Sequence, residues 1–557
     1  MPRRFVFVCA CSLFACGADG DAGPVPVGET STGTTSGSIA DSSETMASAD
    51  GPMPADVGAI GCEGPSELSP NEVATSTGVL EGVALEGGGL ALLGVPFAAP
   101  PVGDLRFAAP EPFGCWSDVR DATAQGPSCP QLEDEGGPVV GDEDCLHLDV
   151  WTPAADDGTR PILFFVHGGG NALGGIDDPL YDGETLAREL DVVVVTTNYR
   201  LGALGFLADA SLTDADGITG NWGLLDVIAA LEWTRDNAAA IGGDPDRVLL
   251  FGQSAGAVDV CALLGAPRAE GLFAAAAVHS GTCSQRDASR YAMQTGTPFL
   301  AASGCADTLD VAACLRALPA DTIITTEPTG FPGNIAALSQ GWGPYVDGVL
   351  LPASTLDAME AGTSIDVPLV VGATAQETAR DVPELTSQEY VDLVNTSFGE
   401  VLGALVLEAY PEADYATPQD AYISLTSDVK FICNARTSAR AAANGRAPVY
   451  RYHFTYAGYT TLGANEATAF HGVELPYLFR TFEGLGLPTN ADDAVMIGTM
   501  GEAWVSFAAT GVPSLGGEPW PAYDAEADNA TVLDVPVSVV DGVRTAQCDF
   551  WAGLGVG

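Results

Sequence analysis

The sequence predicts an α/β fold, a mostly parallel central sheet flanked by helices, and three observations carry that prediction. Short runs rich in Val, Ile, Leu and Phe alternate with longer amphipathic stretches, as buried parallel strands and their covering helices do. Hydrophobic residues make up 46% of the chain against 17% charged, enough apolar material for a core on both faces of a sheet. From about Cys62 onward these segments continue without a low-complexity break or internal repeat, so residues 62–557 read as one large folded unit.

What precedes that unit is of another kind. Arg3 and Arg4 stand before an apolar run from Phe5 to Ala15 that is too short to span a bilayer, the pattern of an export signal over residues 1–15. The run ends Leu13-Phe14-Ala15-Cys16, which resembles the lipobox of bacterial lipoproteins and makes Cys16 the expected lipidated N-terminus, tethered to a membrane of the cell envelope without entering it. An ordinary secretory signal is the simpler alternative. From Gly17 to about Gly61 there is no Lys, Arg or aromatic residue, so residues 16–61 are expected to form a flexible tether.

Within the folded unit the expected strands are Ile162 to Val166, Val192 to Thr197, Val248 to Phe251, Ala274 to His279, Pro368 to Gly372 and Val449 to Phe454. Each runs into a polar or Gly-containing loop, and loops at the carboxyl ends of parallel strands are where open α/β sheets build their sites. The charge balance narrows the partners. With 74 acidic residues against 21 basic ones and Lys430 as the sole lysine, the formal net charge is −53, which argues against nucleic acid. It fits a solvated acidic surface suited to salty surroundings, or a compositional bias.

The motif with most chemical content is Gly252-Gln253-Ser254-Ala255-Gly256, placed directly after a strand and before an apolar helical stretch. A serine on such a sharp turn exposes its hydroxyl, and the flanking glycines let strand and helix approach. The hydroxyl needs a base near neutral pH. Of the five histidines, His147 and His279 lie in expected strands and His167 opens a glycine run. With the order Ser, acid, His, the base is His453 or His471; His453 belongs to an alternating strand, whereas His471 follows a loop and is free to reach a pocket. The acid lies between them, and Glu377, after the strand at Pro368, suits it, with Asp347 and Asp381 as competitors. His167-Gly168-Gly169-Gly170 offers backbone N–H groups for a developing oxyanion, so Gly169, Gly170 and Ala255 are the expected donors.

Further residues give the chain a resemblance to the type B carboxylesterase family, which includes the cholinesterases. They are Gly94 to Phe107, Glu143 to Pro153, Asn198 to Phe206, Gly220 to Asp226, Gly242 to Pro245 and Phe507 to Gly511, in family order over most of the chain after the tether. The resemblance implies an α/β-hydrolase fold, a triad of Ser254, Glu377 and His471, structural ion pairs Arg106 with Glu143 and Arg200 with Asp226, and hydrolysis of small-molecule carboxylic esters through an acyl-enzyme. Hydrolysis of amides, carbamates or thioesters is the nearer alternative and a non-catalytic binding protein of the same fold the more distant one.

The chain departs from the family pattern in places. Gln253 stands where cholinesterases carry Glu, removing a charge. Asn171 replaces an aromatic in the oxyanion loop, a change expected to reshape the pocket mouth. Thr374 and Thr378 replace Asn and Gly around the acid. Between Cys129 and Cys145 there are six acidic residues and no Trp, so choline is not an expected substrate group.

Ten cysteines remain after Cys9, Cys11 and Cys16, an even number that suits disulfides in an exported protein. The resemblance implies Cys129–Cys145, Cys305–Cys314 and Cys433–Cys548, and elimination leaves Cys62 with Cys115 and Cys261 with Cys283. Neither metal-ligand spacing nor a phosphate-binding glycine pattern stands in a convincing setting, so no metal or cofactor is expected.

Overall fold

Eleven strands make the central sheet of the protein, seen in a computed structural model that describes residues 62, 67–134, 136–153, 159–326, 341–458 and 468–555. The expected export signal, Cys16 and the tether lie outside the described residues. In chain order the strands are β1 (Val83–Ala84), β2 (Leu90–Pro96), β3 (His147–Thr152), β4 (Arg160–Val166), β5 (Val193–Thr197), β6 (Gly243–Gln253), β7 (Ala275–His279), β8 (Leu369–Thr374), β9 (Val449–Phe454), β10 (Asn529–Leu533) and β11 (Ser538–Asp541). They lie in the order β11-β10-β9-β8-β7-β6-β4-β5-β3-β2-β1. From β10 across to β5 all pairings are parallel, and antiparallel strands close both edges. The six strands expected from the sequence are all present, differing only at their ends.

Their continuous apolar runs follow from burial on both faces. In β4, Ile162, Phe164 and Val166 point into one core, and Leu163 and Phe165 into the other. The first core is covered by α1 (Trp222–Asn237), α2 (Ala255–Leu264) and α3 (Cys433–Ala442). The second is covered by α4 (Leu475–Phe479) and α5 (Ala491–Thr510) through Leu478, Phe479, Met500 and Trp504. The α5 helix opens with a capping box between Asn490 and Asp493. The same Asp493 accepts the hydroxyls of Tyr456 and Tyr477, both at 3.0 Å, which ties α4, just after His471, to the sheet.

Both ion pairs implied by the resemblance are present. Arg106 grips Glu143 with two nitrogens. Arg200 donates to both oxygens of Asp226 at 2.8 and 2.7 Å in a fully buried pair. All ten cysteines of the folded unit are joined, as Cys62–Cys115, Cys129–Cys145, Cys261–Cys283, Cys305–Cys314 and Cys433–Cys548. The last spans 115 residues and pins the C-terminal segment to a third apolar cluster around Tyr410, Tyr422 and Trp551.

Candidate active site

At the carboxyl end of β6 the chain turns abruptly into α2, and Ser254 is the single residue between them, with φ 59° and ψ −123°. A non-glycine residue adopts such a conformation only when its surroundings impose it. Two crowded glycines do so here. A Cβ on Gly252 would stand 2.5 Å from the Gly256 carbonyl oxygen, and one on Gly256 would collide with the Val166 carbonyl oxygen at the end of β4. The Ser254 N–H donates to the His279 carbonyl at 2.9 Å, fixing the turn against the neighbouring strand β7.

Beside it runs the loop from His167, in which Gly169 and Gly170 adopt φ 112° and 66°. A Cβ on Gly168 would be 3.0 Å from the Ser254 Cβ, so the loop lies directly against the serine. The N–H groups of Gly169 and Gly170 meet no protein acceptor among the described residues, and Ala255 opens a helix whose first N–H groups have no intrahelical partner. His167 is buried, which pushes its pKa down to about 4, so it stays neutral.

His471 meets Glu377 through Nδ1 and Oε2 in a close hydrogen bond. The other carboxylate oxygen, Oε1, accepts the Ser280 hydroxyl at 2.6 Å and the Thr374 N–H at 2.7 Å. Burial works against the imidazolium. The Glu377 charge and hydrogen bond, with Glu474 and Asp381 adding to them, outweigh that and hold His471 above the ordinary histidine value. The Phe431 ring packs on the imidazole, with centroids 4.8 Å apart. Its position comes from the π-helical turn Asp428–Ile432, whose Asp428 is gripped by Arg544.

Asp347 and His453, two of the competitors, are placed differently. Asp347 accepts the N–H groups of Val349 and Leu351 and an Asn221 amide, and so shapes its own turn. Burial pushes His453 on β9 down to about 4. Asn171, which stands in place of an aromatic in the oxyanion loop, is buried. Its side chain donates to Asp259 at 3.2 Å and accepts the Tyr199 hydroxyl at 2.8 Å, because its left-handed backbone, φ 54°, turns the amide inward. Thr378 likewise turns away from the acid, to Thr426 at 2.6 Å.

Asp259 carries a testable consequence. Burial drives its carboxyl up to about 8, although Asn171 and Tyr199 favour the charged form. Between the ordinary value of 3.8 and about 8 the folded state therefore holds a proton that the unfolded chain has lost, and stability falls as pH rises through that window. Asp259→Asn, neutral throughout, should show a shallower decline in urea denaturation between about pH 5 and pH 8. Equal slopes would mean that Asp259 is ionised in the folded protein.

The carboxylesterase family pattern matches residues 69–551. The chain is 36% identical over 466 residues to a para-nitrobenzyl esterase of Bacillus subtilis, covering 80% of this chain and 91% of that one. The chain belongs to the carboxylesterase family. It is also 35% identical to a fumonisin B1 esterase of Sphingopyxis macrogoltabida, covering 82% and 85% of the two chains. Among solved structures, a PNB esterase superposes with a TM-score of 0.73 at 32% identity, covering 86% of this chain and 99% of the other. A Geobacillus stearothermophilus carboxylesterase gives 0.74 at 33%, covering 86% and 100%. The fold is thus that of the α/β-hydrolases, and the protein is a serine hydrolase that cleaves carboxylic esters.

Some features of this carboxylesterase site had no signal in the sequence. The Ser280 hydroxyl on Glu377 and the Phe431 ring on His471 depend on long-range placement. So does a buried cluster in which the Trp504 indole donates to His279 Nε2 at 3.0 Å while His279 Nδ1 faces Glu474 Oε1 at 3.6 Å.

Proposed function

We propose that the carboxylesterase works by acyl transfer through Ser254, with His471 as general base, Glu377 orienting it, and the N–H groups of Gly169, Gly170 and Ala255 receiving the oxyanion. The observation that supports this best is the His471–Glu377 contact, made beside a serine held in a forced turn against a glycine loop. Ser254 Oγ attacks the ester carbonyl and its proton passes to His471 Nε2. The imidazolium, stabilised by Glu377, then protonates the departing alkoxide, and water releases the acid by the same route. Each oxyanion donor contributes roughly 3 to 4 kcal/mol to the transition state.

The substrates on this reading are small esters without a choline group. The loop closed by Cys129–Cys145 carries acidic residues and no Trp, and its Glu143 is engaged by Arg106. Incubation with a fluorophosphonate probe, mass spectrometry of the labelled peptide, and assays on p-nitrophenyl esters of graded acyl length test the proposal. Label on Ser254 with parallel loss of activity is expected, and acetylthiocholine should turn over poorly beside the simple esters. Label elsewhere would overturn the assignment.

The same proposal places the enzyme outside the cytoplasm, anchored by acyl chains on Cys16 at the end of the apolar run Phe5 to Ala15. Expression in a bacterial host with a radioactive fatty acid should label the protein, and globomycin should block its processing. Unlabelled protein with unchanged processing would leave an ordinary secreted enzyme.

A further inference from the structure

His471 Nδ1 faces a carboxylate, which only accepts, so the neutral imidazole carries its hydrogen there and presents its lone pair at Nε2. The group that meets this lone pair is the side-chain amide of Gln253, with its Nε2 3.0 Å away; among the described residues no hydrogen bond joins it to Ser254 Oγ. Gln253 is only 5% exposed. It ends β6, is held in register with His279 on β7, and its amide lies against Gly472, the residue after the histidine. A buried polar side chain is therefore aimed at the atom that must take the proton of Ser254.

An amide can serve that atom in both of its states. Its N–H donates to the lone pair of the neutral ring, and its carbonyl, turned over, accepts from the imidazolium. A carboxylate at the same place would accept only, and would add a charge. Its neutrality matters because the groups around the ring are already acidic. Glu377 touches it, and Glu474 and Asp381 act on it in the same direction. Two cations are engaged with neighbouring rings, the Lys430 ammonium 5.8 Å from the Phe431 ring and the Arg380 guanidinium 4.0 Å from the Phe470 ring.

We infer that Gln253 is a positioning residue for the base. It holds the neutral His471 ring by donating to Nε2 in the resting enzyme, yields that lone pair to the Ser254 hydroxyl when substrate binds, and accepts from Nε2–H once the proton has moved. Its neutrality keeps the ring free of its proton at a lower pH than a carboxylate there would allow. The inference rests on the roles proposed for Ser254 and His471.

The test is the rate of fluorophosphonate labelling of Ser254 followed against pH in the full chain, for the native protein, Gln253→Glu and Gln253→Met, with near-ultraviolet circular dichroism as the check on folding. Labelling requires the neutral ring, so its rate rises with pH. Gln253→Glu should move the midpoint up by about one pH unit, a roughly tenfold slower reaction on the acid side. Gln253→Met, which keeps the bulk and loses both hydrogen bonds, should lower the plateau rate about tenfold, and kcat for an ester with it, while KM holds. A merely structural residue would leave the plateau rate of the folded Gln253→Met variant unmoved. Native protein that labels at Ser254, with midpoint and plateau unchanged in both folded variants, overturns the role of Gln253 alone. Native protein that takes no label at any pH overturns the serine assignment and this inference together.

Discussion

Ser254→Ala should lower kcat on p-nitrophenyl esters by about 10⁵-fold or more while leaving the fold as it is. The expectation of an intact fold has a structural basis. The Ser254 side chain has no hydrogen bond to lose among the described residues, and alanine keeps the Cβ that the turn already accommodates. The forced backbone is imposed by Gly252, Gly256 and the His279 carbonyl, all unchanged in the variant. Unfolding in urea should therefore move by no more than about 0.5 kcal/mol. The residue of activity is informative as well. With the nucleophile gone, backbone donors and substrate binding still give roughly 10³- to 10⁴-fold over water, so a small rate above the uncatalysed one reports on Gly169, Gly170 and Ala255. A variant that keeps more than about a hundredth of native activity would place the nucleophile elsewhere.

How much of this was legible in the sequence differs from residue to residue, for physical reasons. The strands were legible because a sheet buried on both faces demands unbroken apolar runs such as Ile162 to Val166. The turn at Ser254 was legible because backbone crowding leaves room only for glycine on either side, a local requirement that shows in the sequence. The acid was less so. Nothing in the residues around Glu377, Asp347 and Asp381 says which carboxylate faces the imidazole, and the resemblance to a family was needed to rank them. In the structure Asp347 is occupied by its own turn, whereas Glu377 is held by Ser280 and Thr374 with its free oxygen on His471. The Gln253 amide was read only as a missing charge, since its contact with His471 bridges 218 residues of sequence. The partners of the Asn171 amide were not legible either, because composition cannot show which way a left-handed residue turns its side chain.

Glu377→Gln should reduce kcat by about 10⁴-fold, and the reason lies in which protons surround the carboxylate. Oε1 accepts from Ser280 and Thr374, so the amide oxygen of the variant takes that place and the NH₂ turns toward His471. Two donors cannot share one hydrogen bond, and the imidazole must present a lone pair at Nδ1 and carry its hydrogen on Nε2, the tautomer that cannot accept from Ser254. The pH dependence separates this from simple loss of packing. Glu377 is the chief group holding the His471 pKa up, so the acid limb of kcat/KM should move to lower pH in the variant. Stability follows the same sign. A histidine whose pKa is raised by folding stabilises the protein below its unfolded value of 6.5, and that contribution fades as pH rises through the folded value. The destabilisation of Glu377→Gln should therefore be larger at about pH 5 than at about pH 9, as measured by urea denaturation. Asp381→Asn, which weakens the field on His471 without touching Nδ1, should shift the acid limb slightly and leave kcat close to native. If that variant instead lost activity as severely as Glu377→Gln, the orienting acid would have to be reassigned.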